Sequence, residues 1–164
     1  MSTLNAGPMR ALTLRLDDKQ FAIEAESVRE ILDLVPITEV PNAPAFVSGL
    51  INVRGSVVPL ADLRVMFDMN RRPRDADTRI VVIEIKLDGE PATIGILADK
   101  VNNVTDIEAA HIQDVPRIGI RWRPEFVRGV GRHQGSFIII PDLERIFETQ
   151  GGRNTPVAQE RAVS

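Results

Sequence analysis

The chain repeats itself once, and that constrains its fold more than any other feature. Pro44, Phe46, Val47, Gly49, Gly55, Ser56, Asp62, Leu63 and Phe67 recur 80 positions later as Pro124, Phe126, Val127, Gly129, Gly135, Ser136, Asp142, Leu143 and Phe147. These are nine identities over the 24 positions from 44 to 67, without a gap. Leu50/Val130, Val57/Phe137, Val58/Ile138 and Leu60/Ile140 keep apolar character as well. A fainter echo at a spacing of 73 relates Phe21, Ile23, Ala25, Val28 and Ile31 to Ile94, Ile96, Ala98, Val101 and Val104. The second copy is therefore seven residues longer, an insertion expected at 114–123. Such a repeat implies two copies of one supersecondary unit stacked on a common core. The reading is a single domain over 10–149, with a first barrel at about 10–75 and a second at about 76–149. A flexible N-terminus at 1–9 and a disordered tail at 150–164 flank it.

Within each copy the apolar period is that of strands. Leu12, Leu14 and Leu16 alternate with Thr13 and Arg15, and Phe21, Ile23 and Ala25 resume the alternation after a polar turn at 17–20. The second copy opens likewise around Asp88-Gly89-Glu90-Pro91, where the unbroken apolar run 80–83 implies burial on both faces. A second hairpin follows in each copy, around Gly55 and Gly135. Helical signals are short. Val28, Ile31, Leu32 and Val35 follow Ser27 at spacings of three and four, and Asp62 and Asp142 stand where N-caps of one-to-two-turn helices are needed. The expected fold class is mainly β. Copies of some 70 residues can close into small five-stranded barrels, but each buries little, so the two must pack together.

Composition removes whole classes of function. The chain has no cysteine and no tyrosine, and its two histidines, His111 and His133, have no metal-ligand spacing. A net charge of −3 offers no general attraction to polyanions. The one basic stretch, Arg117, Arg121, Arg123, Arg128, Arg132 and His133 with Trp122, Phe126 and Phe137, keeps single-stranded nucleic-acid binding as a remote alternative, with two of those aromatics expected in the core. No apolar run approaches the ~18 residues of a spanning helix, and residues 1–8 lack the features of an export signal. An enzyme, a metal and a cofactor are not expected.

Ordered blocks of the sequence resemble the chemotaxis coupling protein family, CheW. They are Val28-Arg29-Glu30-Ile31, Pro36-Ile37-Thr38, Val40-Pro41-Asn42-Ala43-Pro44, Phe46-Val47 with Gly49 through Gly55, and Val58-Pro59 with Asp62-Leu63-Arg64. The likeness runs on through Gly95-Ile96-Leu97-Ala98-Asp99 with Val101, Gly129-Val130-Gly131 and Ile140 with Asp142-Leu143, spanning about residues 10 to 148. The resemblance implies paired SH3-like barrels. It also implies a stand-alone adaptor bridging the cytoplasmic tips of methyl-accepting receptors to the regulatory domain of a CheA-type histidine kinase. Such an adaptor is cytoplasmic, recruited to membrane-associated receptor arrays, and not itself inserted in the membrane. A CheW-like scaffold in a pathway other than motility is the alternative.

Carried over by position, the resemblance implies a kinase-binding set of Leu12, Ala25 and Val28, with Ala25 smaller than the apolar residue common there. The alternative for all three is barrel core. A receptor-binding set comprises Glu30, Arg54, Val101 and Val104. Glu30 could instead close a capping box from Ser27, and Arg54 could be an ordinary hairpin residue. The repeat bears on that choice, because the counterpart of Arg54 is Gln134. The fold does not demand an arginine, and Arg54 is read as a binding residue held by Glu30.

Overall fold

The computed structural model describes residues 7–114 and 123–149. The expected insertion at 114–123, most of the N-terminal arm and the tail at 150–164 lie largely or wholly outside them. Among the described residues, ten strands and two short α-helices follow one another. They are β1 (Met9–Leu16), β2 (Lys19–Glu24), β3 (Val28–Asp33), β4 (Val47–Val53), β5 (Ser56–Ala61), α1 (Leu63–Met66), β6 (Arg79–Leu87), β7 (Glu90–Ala98), β8 (Lys100–Ile107), β9 (Val127–His133), β10 (Ser136–Pro141) and α2 (Leu143–Phe147). The arm does not stay free as far as residue 9, since Met9 already pairs with Ile107.

The strands form two five-stranded sheets, ordered β8-β1-β2-β10-β9 and β3-β6-β7-β5-β4. The repeat maps β1–β5 onto β6–β10, and under that mapping the two sheets have the same plan. Their membership differs from the expected division at residue 75. Each sheet takes the first hairpin of one copy and the last three strands of the other. The chain changes sheet after β2, through a single 3-10 turn at Ala25–Ser27, and again at Asp99 between β7 and β8. An isolated bridge from Thr38 to Leu50 draws the segment after β3 onto β4, and one from Gln113 to Val130 draws the segment after β8 onto β9, so each sheet curls toward closure.

Side-chain alternation accounts for the exchange. Leu12, Leu14 and Leu16 of β1, Phe21 and Ile23 of β2, Val81, Ile83 and Ile85 of β6, and Ile94 and Ile96 of β7 meet in one central cluster. Their neighbours point the other way: Ala11, Ala22, Ile138 and Ile140 fill one barrel, and Ile51, Leu60, Ile80, Val82 and Leu97 fill the other. A hairpin apolar on both faces must be covered on both, and β1–β2 and β6–β7 achieve this by standing back to back between the barrels. Two ring contacts cross this seam, Phe21 to Phe67 at 5.3 Å between centroids and Phe46 to Phe147 at 6.0 Å. Each contributes ~0.5–1.5 kcal/mol beyond its burial.

The repeat also specifies the corners. Asp62 and Asp142 cap α1 and α2 as expected, accepting from the N–H groups of Arg64 and Arg145, and their own N–H groups donate to the carbonyls of Phe46 and Phe126. Gly49 and Gly129 sit under the closing segments, where an added Cβ would lie 2.4 Å from the Thr38 carbonyl oxygen and 3.0 Å from that of Gln113. Residues 28–35 depart from expectation. They hold strand β3 and its extension, with burial alternating along it, because antiparallel pairing with β6 gives the β-branched Val28 and Ile31 a partner strand that a solitary helix lacks. Phe137 departs too. It is 66% exposed, as its counterpart Val57 is at 71%, because it pairs with the exposed Arg132 of β9 and the buried stretch of β10 begins only at Ile138.

Candidate functional site

Arg54 occupies the first central position of the two-residue β4–β5 turn, with φ of 53° followed by 88° at Gly55. Left-handed backbone at both positions matches the twist of the flanking strands, and it costs a side-chain-bearing residue about 1–2 kcal/mol. The Asn52 carboxamide oxygen accepts from the Gly55 N–H at 2.8 Å and steadies the turn. From there the Arg54 Nε and Nη2 donate to the two carboxylate oxygens of Glu30 at 3.0 and 2.9 Å. Glu30 lies on β3 and Arg54 at the end of β4, the two edges of one sheet, so the fork spans the edges that must meet.

The pair shifts both groups in the direction that favours charge. The hydrogen bonds and positive charge of Arg54 hold the Glu30 carboxyl below the usual glutamate range, and Glu30 in turn raises Arg54. The Arg54 side chain is 79% exposed. An ion pair so exposed adds little to stability, so its consequence is geometric: a guanidinium fixed in direction, with N–H groups left over for a ligand. The repeat supplies the comparison. The counterparts of Glu30 and Arg54 are Asn103 and Gln134, and Asn103 turns instead to the Thr13 hydroxyl at 3.1 Å. The capping-box alternative for Glu30 is not realised, because Ser27 ends a 3-10 turn and a strand follows it.

Val101 and Val104 lie on β8, the edge strand of the other sheet, opposite Leu14 and Leu12. Val101 packs against the central cluster and Val104 is 47% exposed. Among the described residues no hydrogen bond or ion pair joins these two to the Glu30–Arg54 fork. Sequence spacing makes Val101 the counterpart of Val28, so equivalent places on the two barrels are read as contacts for different partners.

The other set divides. Leu12 is buried in the central cluster at 3% exposure, so it supports a face without presenting one. Val28 is half-buried against the same cluster. Ala25 lines an open, mostly apolar cleft of about 780 Å³ with Met9, Ala109 and Ile112. The small side chain at 25 thus leaves a concavity on the surface.

Sequence reasoning missed Arg64. Its guanidinium is buried, forked onto Asp62 at 2.9 and 2.8 Å and bonded to Asp99 at 2.8 Å, while the other Asp99 oxygen accepts from the Asp17 N–H at 2.6 Å. Arg72 closes the chain of contacts, its Nε on Asp17 at 2.7 Å and its carbonyl accepting from Arg64 at 3.2 Å. The network ties the end of β5, the β7–β8 crossing and the β1–β2 turn, and so links the two barrels. The signal that marked Arg54 was available here also, because the counterpart of Arg64 is Glu144.

Part of the basic stretch is engaged internally. Arg123 pairs with Glu125 at 2.6 Å and stands 5.0 Å from the Phe126 ring centre, and Arg128 lies 3.5 Å from Glu24. Arg117, Arg121 and Trp122 lie outside the described residues.

Comparison with known proteins places this architecture. The CheW-like domain model matches residues 10–151. The probable chemotaxis protein CheW of Rhizobium etli is 31% identical over 147 residues, covering 90% of this chain and 92% of that one. The chemotaxis protein CheW of Rhizobium meliloti is 30% identical with the same coverage. Among solved structures, the scaffolding protein TtCheW from Thermoanaerobacter tengcongensis superposes with a TM-score of 0.76 at 30% identity, over 88% of this chain and 90% of that one. The exchange of strands between two similar sheets and the match over the whole folded length lead to one conclusion: this chain belongs to the CheW-like family of chemotaxis scaffold proteins.

Proposed function

We propose that the chain is a non-enzymatic cytoplasmic adaptor that couples methyl-accepting chemoreceptors to a CheA-type histidine kinase within receptor arrays. The observation that carries this reading is the Glu30–Arg54 fork: an oriented, exposed guanidinium that the fold does not need, in a chain of the CheW family. Arg54 and Glu30 serve the receptor side, with Val101 and Val104 as an apolar contact on the other barrel. Val28 and the cleft beside Ala25 serve the kinase side, with Leu12 beneath them. Docking both partners raises their effective concentration, so modest contacts sum to a stable assembly. Transmission further requires that the receptor's two states differ in how well they fit the adaptor, since equal binding to both would shift nothing. No described helix is long and apolar enough to cross a membrane.

Titration calorimetry against the isolated regulatory domain of a CheA-type kinase from the same source tests the kinase arm. Saturable binding that Val28→Asp abolishes in a folded protein is the expected result, and no binding by the unaltered chain would overturn the reading. Arg54→Glu tests the receptor arm. It is expected to weaken binding to a receptor signalling fragment while kinase binding and melting temperature hold. Loss of both bindings with a lower melting temperature would make Arg54 a structural residue.

A further inference from the structure

The connector between α1 and β6 places Arg71, Arg72 and Arg74 around Pro73, in a chain whose net charge is −3. Arg72 is pinned twice, by its side chain on Asp17 and by its carbonyl on Arg64. Arg71 and Arg74 are exposed, and neither takes part in an ion pair among the described residues. Both line a polar cleft of about 530 Å³ whose opposite wall is the segment from 39 to 48. At its floor Arg64 and Asp62 neutralise each other. Glu39 is the remaining carboxylate of the lining, against which stand the two unpaired arginines. Ala43, Ala45 and Ser48 of that segment carry short side chains, so a main chain can approach it.

We infer that this cleft is a docking site for an extended acidic segment of a partner protein, with Arg71 and Arg74 each forking onto a carboxylate. A planar guanidinium binds carboxylate bidentately, and two of them lining one cleft can engage successive carboxylates of a single chain. The site lies outside both residue sets assigned above and does not rest on them. Charge selects the occupant: uncompensated arginines above a neutralised floor favour carboxylates, and the open wall of short side chains favours a chain over a small enclosed anion.

The test is fluorescence anisotropy of the full chain with a short fluorescein-labelled glutamate-rich peptide. Saturable binding is expected, weakened roughly tenfold or more by Arg71→Glu with Arg74→Glu and by added salt. Lys86→Glu with Arg132→Glu changes net charge equally on exposed positions away from the cleft and is expected to leave binding nearly intact. Should the first double variant melt lower than the parent, Arg71→Gln with Arg74→Gln reads the same loss without introduced repulsion. Absence of saturable binding, equal loss in both charge-reversed doubles, or ready displacement of the peptide by inorganic phosphate would overturn the proposal.

Discussion

Arg64 shows what one charge does when it is buried between two barrels. At 4% exposure it is surrounded by Asp62 and Asp99, themselves buried, and its removal would strip both carboxylates of the guanidinium they share. Arg64→Met is therefore expected to cost ~3–5 kcal/mol in urea unfolding, and adding Asp99→Asn to it should recover part of that loss. Glu30 behaves differently because it is near the surface. Its folded pKa lies below the unfolded value, so its contribution is present above the ordinary glutamate range and is lost as pH falls through the depressed folded value. A carboxyl-resonance titration should show Glu30 ionising at lower pH than a free glutamate. Arg54→Ala should move that midpoint back up.

At the level of the element, closure of each barrel depends on a segment passing close over a glycine. Gly49→Ala would place a methyl against the Thr38 carbonyl, a backbone atom that cannot swing aside, and would also strain a positive φ. An expected loss of roughly 1–3 kcal/mol follows from overpacking alone. Gly129→Ala meets a longer approach and should cost less, with thermal melting of the two variants giving the order. The β4–β5 turn is the complementary case. Its left-handed backbone suits Asn or Gly, yet the positions hold Arg54 and, in the second copy, Gln134, so an intrinsic preference is given up where a long polar side chain is presented outward.

For the molecule as a whole, the exchange of strands makes the two sequence halves interdependent. A fragment ending at residue 75 contains β1–β5, which belong to two different sheets: one would lack β8, β9 and β10, and the other would lack its central hairpin β6–β7. Separately produced fragments 7–75 and 76–149 are expected to be unfolded alone and to regain strand circular dichroism and dispersed amide resonances when mixed. Independent folding of either would mean that the halves can close on themselves. The seam is the largest of the buried clusters, so the two barrels are joined through a continuous apolar core.

Local chemistry was legible in the residues. Alternation located the hairpins, recurrence of Asp62 and Asp142 located the caps, and the mismatch of Arg54 with Gln134 singled out the arginine that forks onto Glu30. Each of these depends on neighbours within a turn or a strand pair, or on comparing one copy with the other. The helix expected at 28–35, the inward place expected for Phe137 and the division at residue 75 each depended on something no local pattern contains, namely which distant strand lies alongside. β6 made residues 28–33 a strand, register on β9 turned Phe137 outward, and two apolar-faced hairpins standing back to back decided that the copies exchange their ends. Sequence by itself determined the units, their number and their corners. Only the tertiary structure decided their pairing, because the free energy of covering an apolar face is gained whichever copy supplies the cover.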